Sequence, residues 1–354
     1  MRPGALRLNF GLARFSGLYL AAAFIIVFGV WTPSTFLTGA TVHSVASGQA
    51  VTAMLGIAVL IPLATGVFDL SVGATVNISA IVVAILQTRD HQGIAVSIAV
   101  AIAVGLVIGI VNGFLVVVLH LNSFIATLGM ATVVGAVQEI ISAESQPLPP
   151  TSSAWLNMTQ YQVFGFQIVF VYMLILALIV WWVMAVTPVG RYMFAVGGNA
   201  EAARLSGIRV GKWTWWSLIA SATISGLAGV FYASLSGPSL TFGAGLLLPA
   251  FAAAFLGSTQ LTPGRFNVWG TVLAVYVLAI GVKGLQLVSG VQWANDMFNG
   301  VALIIAVAFA VWRQRRTGRI SYEAPPAGTE DLAAPVTSPD GNPESVSPEP
   351  GRAH

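Results

Sequence analysis

The sequence contains no cysteine, and Asp, Glu, Lys and Arg together make up only 8% of its 354 residues. The first absence excludes structural disulfides, thiolate metal sites and redox cysteine chemistry. The second excludes an ordinary soluble domain, which carries about 25% charged residues. Lysine occurs twice, at Lys212 and Lys283, and neither follows the glycines of a phosphate-binding loop. The chain therefore has no ATP site of that kind. The histidines His43, His91, His120 and His354 are scattered, without metal-ligand spacing. No paired acids or nucleophile–base sets point to catalysis, so we expect no catalytic residue, no metal and no cofactor in this chain. Basic residues gather at the edges of apolar runs rather than on a basic face interleaved with aromatics, which argues against a nucleic-acid partner.

Apolar residues fill what charge leaves, at 56% of the chain. A membrane-crossing helix needs about 20 of them in succession. The runs predict an all-α polytopic membrane protein of about ten spans, near residues 17–37, 45–66, 71–88, 93–119, 123–142, 165–186, 213–236, 242–258, 266–285 and 292–312. The first run follows Arg2, Arg7 and Arg14, but it exceeds the core of a signal peptide and reads as an uncleaved anchor. The organisation expected is an N-terminal arm (1–16), a transmembrane domain (17–312) with a loop at 187–212, and a tail (313–354). The tail is rich in Pro, Glu, Ala, Gly and Ser and lacks the apolar surface to fold.

Lys and Arg set the orientation. Arg2, Arg7 and Arg14, then Arg191, Arg204, Arg209 and Lys212, then Arg313, Arg315, Arg316 and Arg319 mark three segments as cytoplasmic. Ten spans put all three on one side of the membrane, with both termini inside and the Lys- and Arg-free loop 143–164 outside. An internal repeat is also suggested. Spans 2–5 and 7–10, five apart, would be inverted copies, and Gly73-Ala74 and Gly243-Ala244 open spans three and eight at corresponding places.

Two segments interrupt the apolar pattern. In the first, Pro62 and Gly66 precede Phe68-Asp69-Leu70-Ser71-Val72-Gly73. Asp69 or Ser71 can cap the helix that follows. Two readings stand: a cap in a tight turn, or a broken helix beside a transport path, where non-helical backbone is tolerated at membrane depth. The second segment runs from Thr187-Pro188 to Arg209. Asn199 is a good N-cap, Glu201 suits the first turn and Gly207 can end the helix. The result is a helix of about two turns, in which Ala202, Ala203 and Ser206 allow close approach by a partner. A solvated connector is the alternative.

These stretches resemble the ribose-type sugar ABC permeases. The resemblance rests on F-D-L-S-V-G at 68–73, on G-R-x-x-x-A-x-G-G-N-x-x-A-A-R-L-S-G-I at 190–208 and on N-S-F-I-A-T-L-G at 122–129, where Asn122 replaces a frequent Pro. Gly284-Leu285-Gln286-Leu287 and Gly300 fit the C-terminal pattern. The resemblance implies a bacterial inner-membrane permease, active as a dimer, bound to ATPase subunits that carry ATP and Mg, and fed with monosaccharide by a periplasmic binding protein. It also implies that the segment around Gly198, Asn199, Glu201, Ala202, Arg204, Ser206 and Gly207 contacts the ATPase. Asn77, Asn112, Gln138, Gln260 and Asn299 are candidates for lining the path, though each can equally bond a neighbouring helix. Lys283 and the extended tail depart from the family. The alternatives are a related permease for nucleosides, branched-chain amino acids or a signalling furanose, and an ion-coupled carrier using Asp69, Glu139 or Asp296.

Because the chain lacks cysteine, topology is testable with single introduced thiols. In spheroplasts an impermeant maleimide should label Ser152→Cys and leave Ser206→Cys unlabelled; the reverse pattern overturns the orientation.

Overall fold

The computed structural model describes residues 15–291 and 293–316. The arm to residue 14 and the tail from 317, with their basic residues, lie outside the described residues. Fifteen α-helices occur among those described: α1 (Ser16–Trp31), α2 (Pro33–Phe36), α3 (Gly39–Gly48), α4 (Ala50–Ala64), α5 (Val72–Thr88), α6 (Ile94–Gly113), α7 (Ser123–Ser142), α8 (Ser153–Gln160), α9 (Ile168–Val186), α10 (Pro188–Gly198), α11 (Ala200–Leu205), α12 (Val210–Ser236), α13 (Phe242–Ser258), α14 (Val268–Ser289) and α15 (Trp293–Arg316). A π-helical turn, Phe114–Val118, prolongs α6. The helices α7 and α13 start and stop where the apolar runs at 123–142 and 242–258 do.

Among the described residues six helical stretches are long and apolar enough to cross a membrane: Gly39–Ala64, Ile94–Val118, Ser123–Ser142, Ile168–Val186, Val210–Ser236 and Val268–Val288. Ser16–Trp31, Val72–Thr88, Phe242–Ser258 and Met297–Ala308 are apolar but shorter. The chain is an all-α multi-pass membrane protein, and length and composition alone yield six crossings rather than ten. The shortfall has local causes. The first apolar run is cut where Pro33 opens α2, since proline cannot continue a helix without losing a hydrogen bond. The helices α5 and α13 are short because of where they start.

Those two starts meet. A Cβ on Gly73 would lie 2.5 Å from the Gly243 carbonyl oxygen, and one on Gly243 would strike that of Gly73. One turn into α5, the Asn77 amide donates to Leu240 O at 2.9 Å, just before α13. Reciprocally, Phe68, just before α5, stacks on Phe251 within α13 at 6.2 Å. Each helix therefore runs back along the segment that leads into the other, and the two cross antiparallel at their first turns. Each has 17 residues, about 25 Å at 1.5 Å per residue. They diverge from the crossing. The helix α4 contacts both of them, and α12 packs on α5 and reaches the first residue of α13 through the stacking of Tyr232 on Phe242. The contacts repeat with the five-span offset: α5 packs on α6, α7 and α12, and α13 packs on α14, α15 and α4. The lead-in segments carry corresponding glycines at positive φ, Gly66 (83°) and Gly237 (86°).

Small residues bring α6 and α12 together. Added Cβ atoms at Gly105 and Gly109 would meet the Ala222 and Leu218 carbonyls of α12, the close backbone approach by which helices pack without a hydrophobic driving force. The loop after α7 is not wholly irregular. It forms α8 and a small antiparallel hairpin pairing Gln162 with Gln167 and Val163 with Phe166, turned by Gly165 at φ 85°. Only this hairpin departs from an all-α fold among the described residues. The apolar core gathers α4, α5, α9, α12, α13 and α14, with Trp155 of α8 fully buried against it.

The crossing predicts an asymmetry between neighbouring glycines. Gly243→Ala forces the crossing apart and should cost about 1–3 kcal/mol, read as earlier thermal unfolding in detergent. Gly245→Ala, with nothing within 4 Å of its Cβ, should be neutral.

Candidate functional site

The chain between α4 and α5 leaves the helix at Thr65, whose hydroxyl donates to Pro62 O at 2.8 Å and hydrogen-bonds Ser217 of α12 at 3.0 Å. Gly66 takes the left-handed conformation that turns the chain. Extended backbone here would strand its N–H groups away from water, and side chains supply the acceptors. Phe68 N donates to Ser123 Oγ at 3.1 Å, and Leu70 N to Thr127 Oγ1 at 3.0 Å, both on α7. Asp69 Oδ1 accepts from Ser71 N at 3.1 Å and from Ser71 Oγ at 2.6 Å. Asn112 of α6 donates to Ser71 Oγ at 2.8 Å. Asp69 and Ser71 are fully buried, the Ser221 hydroxyl of α12 stands beside the Asp69 carboxyl, and Asn112 Oδ1 has no hydrogen-bond partner among the described residues.

Of the two capping residues expected here, Asp69 closes the turn. Ser71 occupies the N-cap position, but its side chain accepts no backbone N–H and instead joins Asp69 to Asn112. Phe68 is 36% exposed and meets Phe124 edge-on at 6.3 Å. Gly73 is the crossing itself. The segment is thus a broken helix as well as a cap.

The polar residues read as path candidates fall into four groups. Asn77 and Gln138 bind the lead-in to α13. Both donate to Leu240 O at 2.9 Å, and Asn77 Oδ1 accepts Gly243 N at 2.7 Å, capping α13 from α5. Asn112 holds Ser71. Gln260 is buried with its amide unpartnered, against Gly17 of α1. Asn299 reaches a cavity of about 230 Å³ between α4, α13, α14 and α15, which Gln49 and Thr52 also line. Asn122, where the family often has Pro, caps α7 by accepting Phe124 N at 2.9 Å. Glu139 is exposed on α7, and the side chain of Asp296 lies outside the described residues.

The segment 187–209 holds two helices. Pro188 opens α10 at the position proline favours, an element not read from the sequence although Pro188 signals it. Asn199 then caps α11, its Oδ1 accepting Ala202 N at 2.9 Å. Glu201 pairs with Arg204 at 2.8 Å, and Gly207 ends the turn at φ 81°. Ala202 and Ser206 are exposed, whereas Ala203 is buried and is not part of an open face. Leu205, unremarked in the sequence, is 80% exposed beside them. Gly198 is open, but Gly197 is not: a Cβ there would strike Ala64 O and lie 3.1 Å from Gly66 N. The end of α10 therefore rests on the backbone where α4 breaks.

A family model described as branched-chain amino acid transport system / permease component matches residues 41–307. The chain is 30% identical over 297 residues to the fructose import permease protein of Rhizobium meliloti, covering 81% of this chain and 82% of that one. It is 30% identical over 299 residues to the ribose import permease protein of Bacillus subtilis, covering 84% and 91%. It is 29% identical over 295 residues to an autoinducer 2 import system permease protein of Salmonella paratyphi B, covering 82% and 84%. No solved structure matches the chain.

Asp69 should matter as a hydrogen-bond acceptor. Asp69→Ala releases Ser71 N and Ser71 Oγ in a buried place and should destabilise by roughly 1–3 kcal/mol. Asp69→Asn keeps an acceptor oxygen and should stay close to wild type. Thermal unfolding of the purified variants checks this, and equal losses in both would show that the charge, not the acceptor, is needed.

Proposed function

The chain belongs to the branched-chain amino acid transport system / permease component family, and we propose that it is the membrane-spanning, non-catalytic subunit of an ATP-binding-cassette importer for a monosaccharide. The names of its relatives support the substrate class, since fructose and ribose are both small polyhydroxylated solutes. The autoinducer 2 relative keeps a signalling furanose within the same reading. ATP and Mg act on a separate ATPase subunit, a periplasmic binding protein delivers the sugar, and two copies of the permease form the membrane core.

In this reading all ten apolar helical stretches cross the membrane as an inverted repeat of spans 2–5 and 7–10. The crossing of α5 and α13 then falls at mid-depth, which lets two 17-residue helices serve as spans, because each lead-in segment covers the remaining thickness. Both termini and the segment 187–209 are cytoplasmic, in an inner membrane.

The observation that carries the proposal is the contact of Gly197 with Ala64 and Gly66. One end of the 187–209 segment presents Ala202, Leu205 and Ser206 on a capped helix, ready to dock. The segment's middle, the C-terminal end of α10, abuts the break that leads to Phe68 and Asp69. A displacement imposed on α11 by a partner reaches the broken helix through backbone packing, without an intervening flexible side chain. An ATPase that changes shape on hydrolysis can in this way move the segment nearest the path.

An ion-coupled carrier is the competing reading, favoured only by the buried Asp69. It requires a titrating carboxyl, and Asp69→Asn would then abolish uptake.

Leu205→Asp places a charge on the docking face without touching the fold, since the side chain is 80% exposed. Co-purification of the ATPase and uptake of labelled sugar should both fall about tenfold or more, at normal membrane levels of the permease. Retained association with wild-type uptake would make the segment a mere connector. A tryptophan at Gly207 is a poorer probe, because positive φ strains any side chain there.

A further inference from the structure

A groove of about 190 Å³ opens where the end of α9 meets α10 and the connection between α13 and α14. Its walls are aromatic: Trp181 of α9, Phe194 of α10, Phe266 of the connection and Trp269 in the first turn of α14. Arg265 enters it with its guanidinium 3.7 Å from the centre of the Phe194 ring. This places a cation on a largely apolar surface, and among the described residues no acid answers it. The connection 259–267 contains no Asp or Glu. The sole acid in 187–212 is Glu201, which is committed to Arg204, the one salt bridge among the described residues. Burial lowers the Arg265 pKa from the ordinary arginine value, the direction that partial desolvation without a counter-ion produces.

The connection is built to hold Arg265 in place. The Asn267 amide donates to Gly257 O, Gln260 O and Arg265 O at 3.0–3.2 Å, and its Oδ1 accepts Gly270 N at 2.7 Å. Asn267 is thereby occupied, which leaves Arg265, Thr262 and the indoles of Trp181 and Trp269 as the lining residues with a polar group to offer.

We propose that this groove binds one anionic phospholipid of the cytoplasmic leaflet, with its phosphate on Arg265 and Thr262 and its acyl chain along α9. The assignment rests on the orientation proposed above, which puts this elbow at the inner membrane surface. Three features select a lipid over a soluble anion. Trp181 and Trp182 stand side by side at the end of a spanning helix, and both are exposed, as expected at the headgroup level. The walls beside the cation are apolar, which suits a ligand with a hydrocarbon part. The cytoplasmic leaflet also carries negative lipid that basic groups at its surface attract. Because Phe194 belongs to α10, a bound lipid would brace the helix whose far end rests on the break after α4.

The test uses the full-length chain purified in neutral detergent, with no ATPase and no sugar, so its outcome is independent of the importer reading. Native mass spectrometry is titrated with phosphatidylglycerol and with phosphatidylcholine of matched acyl chains. Wild type should retain one phosphatidylglycerol at concentrations where phosphatidylcholine is lost. Arg265→Gln should weaken that retention about tenfold, the worth of one charge-assisted hydrogen bond. Arg265→Lys should keep part of it, and Arg204→Gln all of it. Thermal unfolding identical to wild type shows that Arg265→Gln is folded; if it is not, Thr262→Val and the lysine variant carry the comparison. The proposal is overturned by equal retention of both lipids, by undiminished phosphatidylglycerol on Arg265→Gln, or by full displacement with millimolar inorganic phosphate, which would make this a site for a free anion. Absence of any bound lipid would overturn it as well, and would leave Arg265 to an acidic surface of the ATPase.

Discussion

The structure depends on the meeting of two helix beginnings. A helix start leaves four backbone N–H groups without intrahelical partners, and away from water each must be answered by protein. Here α5 and α13 begin against one another at Gly73 and Gly243. Neither position tolerates a side chain, because each carbonyl occupies the place of the other's Cβ. Much of the polar inventory of the bundle follows from this constraint. Ser123, Thr127 and Asp69 serve the lead-in to α5, Asn77 caps α13, and Gln138 holds Leu240. Of the five residues that look like candidates for substrate contact, Asn77 and Gln138 are occupied with backbone and Asn112 with the Ser71 hydroxyl.

That occupation bears on how such a protein can be selective. Conduction requires binding sites weak enough to release their solute, and a polar side chain already committed to a backbone group offers little more than a weak contact. The side of the break left open is aromatic: Phe68, with Phe124 edge-on and Phe251 stacked. Rings of this kind suit a transient contact with the apolar face of a sugar better than a tight site. In the importer proposed above, discrimination among sugars would then belong upstream, with the protein that delivers them.

Local features were legible in the sequence and distant pairings were not. The N-cap at Asn199, the glycine stop at Gly207 and the bounds of α7 and α13 depend on neighbours within a few positions, and the residues announce them. The correspondence of Gly73-Ala74 with Gly243-Ala244 was visible as a pattern, but that the two glycines touch was not, since 170 positions separate them. Asn77 and Gln138 illustrate the same limit: an amide in an apolar run signals a partner without saying which. Ala203 was misplaced because three small residues in one turn look alike until packing buries one of them. The helix α10 was missed because the glycines at 190, 197 and 198 weaken helix propensity, whereas one of them, Gly197, is there for its contact with Ala64. The expected count of ten spans is not reproduced by length and composition, which give six among the described residues, because runs such as those of α5 and α13 form helices of only 17 residues.

Gly197 also joins the segment 187–209 to the break after α4. An interface built from side chains can absorb a shift by changing rotamers, whereas backbone against backbone cannot. Packed elements of that kind move as bodies and transmit strain. At Gly197 the chain of α10 lies on the carbonyl of Ala64 and the amide of Gly66, and Gly66 is the residue whose left-handed conformation sets the direction of everything up to Ser71. Any rotation of α10 about its elbow at Thr187-Pro188 must either lift off this contact or carry Gly66 along. Asp69, tied to Ser71, and Ser71, tied to Asn112, would carry the motion on to α6. Glycine at 197 is thus selected for the absence of slack, the opposite of the flexibility for which glycine is more often credited.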